Sequence, residues 1–143
     1  LPFHVEMDTV HSSKESKKIP LYGIGIEDLP FDMSTINPKD QLDIPVLSGS
    51  DFAVVNNGEA MAPEISHGSL VFVKKTDIEA VLFGDIYLII SEKFNVIRVI
   101  REHDIKTWRL AAKNDKDFDD ILIPISSIRT VYKVKGVLSM LTI

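Results

Sequence analysis

Serines close to lysines are the side chains here that could do chemistry. Ser66 and Ser69 come shortly before Lys74 and Lys75. A serine hydroxyl attacks a carbonyl when a neutral amine takes its proton, and burial makes a lysine neutral by lowering its pKa. Ser66-His67-Gly68 is a turn signal, however, and Ser69 opens an apolar run, so turn chemistry and solvated surface account for these residues. Glu59 and Glu64 could share acid–base work; at this spacing they face water or pair with Arg98. The four histidines, His4, His11, His67 and His103, stand at no metal-ligand spacing, and His67 in its turn reads as a surface residue. Asp115, Asp117, Asp119 and Asp120 gather oxygens but lack the glycine and closing glutamate of a calcium loop, so they read as a solvated loop. Without cysteine there is no disulfide, thiolate ligand or thiol nucleophile. The sequence has no phosphate-binding glycine loop. It therefore gives no reason to expect a metal, a cofactor or a small-molecule substrate.

Glu59, Glu64, Ser66, His67, Ser69 and Lys74 all fall within residues 54–74. The apolar, β-branched run 52–55 predicts a buried strand. Asn56-Asn57-Gly58 ends it, since Asn and Gly accept positive φ at low cost. Pro63 fixes the backbone again, Gly68 marks a second turn, and 69–73 predicts the next strand.

Further strands are expected at 85–90, 95–101, 107–112, 121–124 and 128–140, the last kinked at Gly136. A short edge strand fits 42–46, where Pro45 is tolerated. Helical periodicity is confined to about one turn at 76–81. Short strands with turn signals between them predict a mainly β domain, a barrel or sandwich, whose compact part starts near Leu42. Residues 1–41 are expected as linker and arm, and 42–143 as the domain. Residues 11–18 carry almost no apolar content and read as linker. The run 19–26 is apolar, extended by Pro20 and loosened by Gly23 and Gly25, as an arm packing on another surface would be. Trp108, on a predicted strand, is expected in the core or an interface.

The 143 residues are 45% hydrophobic and 26% charged, which suits one domain with a sizeable core. A net charge of -5 and a pI near 5.3 argue against direct binding to a phosphate backbone. No apolar run reaches the ~20 residues of a membrane span. Starting at Leu1 with no leader pattern, the chain reads as part of a longer cytoplasmic protein.

The central stretch, Gly58-Glu59-Ala60-Met61-Ala62-Pro63 and then Ser66-His67-Gly68-Ser69 leading into Leu70-Val71-Phe72-Val73, resembles the catalytic loop of the LexA and phage-repressor serine peptidases. Their pattern is Gly-x-Ser-Met-x-Pro, followed by Asp-Gly-Asp and a strand. The resemblance covers roughly residues 51–141 and implies a LexA-like, signal-peptidase-like complex β fold with short helical turns. It puts Ala60 where the nucleophilic serine belongs. The family's lysine, on the strand after the next hairpin, matches Arg98. Strand alternation gives Arg98 the same face as Val96 and Ile100. An alanine has no nucleophilic atom, and an arginine in a protein is not deprotonated. The family's self-cleavage region corresponds to the arm with Tyr22, Gly23, Ile24 and Gly25, which lacks the Ala-Gly that many relatives carry.

The resemblance thus implies the C-terminal dimerisation and regulatory domain of a repressor-type transcriptional regulator that cannot self-cleave. Its dimer would form through the C-terminal strands, and DNA would be met only through a separate domain before Leu1. Arg98, paired with Glu59 or Glu64, would brace a cleft holding the arm as an added strand. Two alternatives remain at this stage: a Ser-Lys autopeptidase seen in an inactivated form, and a small β binding module unrelated to repressors.

Overall fold

Runs of β-branched residues long enough to be covered on both faces set the architecture. In the computed structural model, which describes residues 17–139, they build nine strands. These are β1 Ile19–Tyr22, β2 Asp40–Leu42, β3 Phe52–Val55, β4 Leu70–Thr76, β5 Ile86–Ser91, β6 Asn95–Glu102, β7 Thr107–Ala111, β8 Ile121–Pro124 and β9 Ile128–Leu138. All join one open sheet in the order β2-β1-β3-β4-β9-β5-β6-β7-β8. The mainly β class follows the sequence, but the strands form one continuous sheet where a barrel or sandwich was expected.

Alternation sends successive side chains to opposite faces. Phe52, Val54, Val71, Val73, Leu88, Ile90, Ile97 and Val99 share one core. On the other face, Tyr87, Ile89, Ile100, Trp108 and Leu110 pack together at the β5–β8 end, and Ile19, Ala53 and Phe72 at the β1–β4 end. Trp108 is thus a buried core residue, edge-on to Phe83 at 6.1 Å.

Three expectations need correction. The core takes in chain upstream of Leu42, because Ile19, Tyr22, Ile26 and Leu29 are all buried. The apolar arm enters the sheet as β1, parallel to β3 and antiparallel to β2. Burial of Tyr22 against Phe52, with ring centroids 5.5 Å apart, gives the arm its partner. The edge strand near Leu42 starts two residues earlier, and Pro45–Leu47 forms a 3-10 turn. Further 3-10 turns lie at Ile26–Asp28, Met33–Thr35, Ile78–Ala80 and Ile125–Ser127; only the one at Ile78–Ala80 was foreseen. Most of the expected linker, residues 1–16, and Met140 at the end of the expected last strand lie outside the described residues.

The last strand is central, not peripheral. Residues 131–133 of β9 pair with β4 on one side and β5 on the other. Beyond Lys133 only β4 continues, up to Leu138, so one edge of β9 is open there. No helix among the described residues is long and apolar enough to cross a membrane.

Candidate functional site

The loop between β3 and β4 closes on itself before it reaches the site. At its neck the Asn56 N–H donates to Ser69 O at 2.9 Å, and Gly68 N–H donates to Asn56 O at 2.7 Å. The Asn56 side chain, buried inside the loop, donates to Ser66 O at 3.1 Å. Gly58 sits at φ +106°, a conformation that costs an L side chain about 1–2 kcal/mol. Its N–H donates to Nδ1 of His67 at 2.8 Å. His67 is exposed, as expected, and it also braces the turn. Met61, 1% exposed, plugs the loop into the core. Pro63 follows on the surface.

Asn114 holds the loop from outside. Its backbone N–H donates to Ala60 O at 3.0 Å and its side chain to Glu59 O at 3.2 Å. Ala60 is thereby fixed at the wall of a cleft of about 240 Å³. Arg98, from β6, lines the same cleft. Two residues 38 positions apart in sequence, matched separately to one dyad, thus share one cavity.

Arg98 is half-buried. Nη1 donates to the carbonyl of its neighbour Ile97 at 3.0 Å, and the buried Nε has no partner among the described residues. Desolvation pulls the guanidinium pKa below its usual value. The expected ion pair with Glu59 or Glu64 is absent. Glu64 pairs with Lys113 at 3.2 Å, Glu59 is exposed at the rim, and the guanidinium turns back along its own strand. The cleft presents a methyl group and a cation. The methyl offers no nucleophilic atom and the cation accepts no proton. What remains is the Arg98 guanidinium, which can donate hydrogen bonds to an anion or a carbonyl.

Beyond Tyr22 the chain approaches the cleft, but not with the residues expected. Tyr22 is buried in the core, Gly23 and Ile24 are exposed, and none of Tyr22, Gly23, Ile24 and Gly25 lines the cavity. Its wall is completed by Ile26 and Glu27. The turn at Ile26–Asp28 carries them there, and Asn95 at the start of β6 pins it. The Asn95 side chain donates to Ile26 O and Leu29 O, both at 3.0 Å. Ile26 was foreseen only as the end of the arm expected in the cleft, and Glu27 and Asn95 were not singled out. The only signal was that Ile26 ends an apolar run, and a lone Asn gave none.

The other candidates lie apart. Ser66 and Ser69 hydrogen-bond each other through their hydroxyls at 3.0 Å, and neither lines the cleft. Lys74 borders a separate hollow with Ser50 and Lys135. In the acidic loop Asp120 pairs with Arg109 at 2.6 Å, and Asp117 accepts from Asn114.

A family model described as Peptidase S24-like matches residues 23–136, well over half of the chain. A search of curated proteins finds no match.

Proposed function

From the premise that the chain belongs to the Peptidase S24-like family, with its LexA-like fold, we propose that it is the C-terminal regulatory and dimerisation domain of a repressor-type transcriptional regulator, and that it does not cut itself. The observation that carries this reading is the meeting of Ala60 and Arg98 in one cleft. The nucleophile and base positions have both lost their chemistry, yet the loop around them keeps its braces. Asn56, Gly58 and His67 still hold it, as a scaffold retained for binding would require.

In this reading a second copy of the chain is the partner, and a separate domain engages DNA. Dimerisation would bring two such domains to neighbouring half-sites and raise affinity through effective concentration. The acidic net charge fits a domain that does not itself touch the phosphate backbone. The interface narrows from the whole of β9 to its open edge beyond Lys133, because a strand paired on both sides has no free main-chain groups to offer. Leu138 is exposed on that edge. The compartment this implies is the cytoplasm.

A second reading, an autopeptidase in inactivated form, draws support from Ile26 and Glu27, since chain just past the arm already borders the cleft. Two variants separate the readings: Ala60→Ser alone, and Ala60→Ser with Arg98→Lys. The proposal expects the single variant to stay intact, because Arg98 cannot take the serine proton. Self-cleavage of the single variant would favour the autopeptidase.

A further inference from the structure

Arg98 is an unanswered charge. It takes part in none of the ion pairs seen between described residues, at Arg109–Asp120, Lys113–Glu64, Arg129–Glu92 and Lys133–Asp85. One of its five N–H donors meets a carbonyl, and Nε is buried with none. A half-desolvated cation without a counter-ion is unfavourable, and an anion in the cleft that Arg98 lines would supply the missing charge without having to reach the buried Nε. Such an anion gains charge-assisted hydrogen bonds, about twice as strong as neutral ones.

The rest of the cleft narrows the choice of anion. Glu27 and Glu59 line its exposed margin, so a dianion such as phosphate, or a nucleic-acid backbone, meets two carboxylates on the way in. A single negative charge carried on an apolar body is repelled least. Val96 and Phe118, both partly exposed, supply apolar wall for that body. At about 240 Å³ the space takes a small acid or the last one or two residues of a peptide. Alanine at position 60 gives the same cleft no side chain beyond a methyl.

We propose that the cleft between Ala60 and Arg98 is a receptor site for a monocarboxylate with a short apolar body, bound through the Arg98 guanidinium. The inference rests on the reading of the cleft as non-catalytic. It is tested by binding alone, so its failure leaves the dimer and self-cleavage experiments untouched.

The test titrates the full chain with N-acetyl-Leu-Ala and with its C-terminal amide, followed by the Arg98 Nε–H resonance in proton–nitrogen spectra. The expected result is a shift of that resonance and binding of the acid about tenfold or more tighter than the amide. Arg98→Met should abolish the preference, and Arg98→Lys should keep part of it, since lysine retains the charge but loses the fork. A parallel titration with isovalerate identifies the source. Binding as tight as the peptide's points to a free organic acid, and much weaker binding points to a peptide C-terminus. Equal affinity for acid and amide, or an unmoved Nε–H resonance with both acids, would overturn the proposal. The same spectra report whether each variant is folded.

Discussion

Arg98 ties the cleft to the stability of the fold. Its positive charge is half-buried and meets no carboxylate among the described residues, so removing it should not weaken the fold. Arg98→Met should leave stability unchanged or raise it by up to about 1 kcal/mol in urea unfolding. A clear loss would show that the guanidinium braces the cleft after all. Gly58 makes the opposite prediction. Ala at φ +106° should cost about 1–2 kcal/mol although the position is open to solvent, because the penalty lies in the backbone. Tyr132 gives a pH prediction. Burial first, and then the nearby Asp51, raise its phenol above the ordinary value of 10.0. Above about pH 10 the unfolded chain has released this proton and the folded chain retains it, so stability falls as pH rises. Tyr132→Phe should flatten that alkaline slope, and an unchanged slope would assign it elsewhere. At this scale local loop and strand patterns were enough to single out Ala60 and Arg98, and the fold brings both to one cleft. What Arg98 touches was not legible, because a guanidinium that bends back along its own strand leaves no trace in residue spacing.

At the level of elements, the strands were readable wherever both faces are buried, as in Ile86–Ser91 with its run of apolar residues. Their order was not. The pairing of β1 with β3 joins residues 32 apart, Leu21 with Ala53, and no periodicity encodes it. The 3-10 turns are three residues each, too short to carry a period. The turn at Ile26–Asp28 matters most, since it closes the cleft wall. Asn95 reaches it across 69 positions, a pairing that no local sequence pattern encodes. Asn95→Ala should cost about 1–2 kcal/mol for the bonds lost to Ile26 O and Leu29 O. Faster amide exchange should appear in residues 26–29 before the rest of the sheet responds. Exchange unchanged there would mean that burial of Ile26 and Leu29 suffices to hold the turn.

For the whole molecule, one continuous sheet leaves few places for a second copy to join. The open edge of β9 past Lys133 is the one the dimer proposal uses. Leu138→Asp should shift sedimentation from dimer to monomer at micromolar concentration with the spectrum of the fold retained. A wild-type chain that sediments as a monomer throughout would remove the dimer from the account. The central claim of the proposal is chemical: a cleft lined by Ala60 and Arg98 does not cut its own chain. The most direct measurement is the intact mass of the unaltered chain after incubation at pH 7 and near pH 10. A catalytic lysine would work faster at the higher pH, where its amine is neutral. The account predicts a single undiminished mass at both. A fragment appearing faster at high pH, cut between Tyr22 and Glu27, would mean that a nucleophile other than Ala60 is at work.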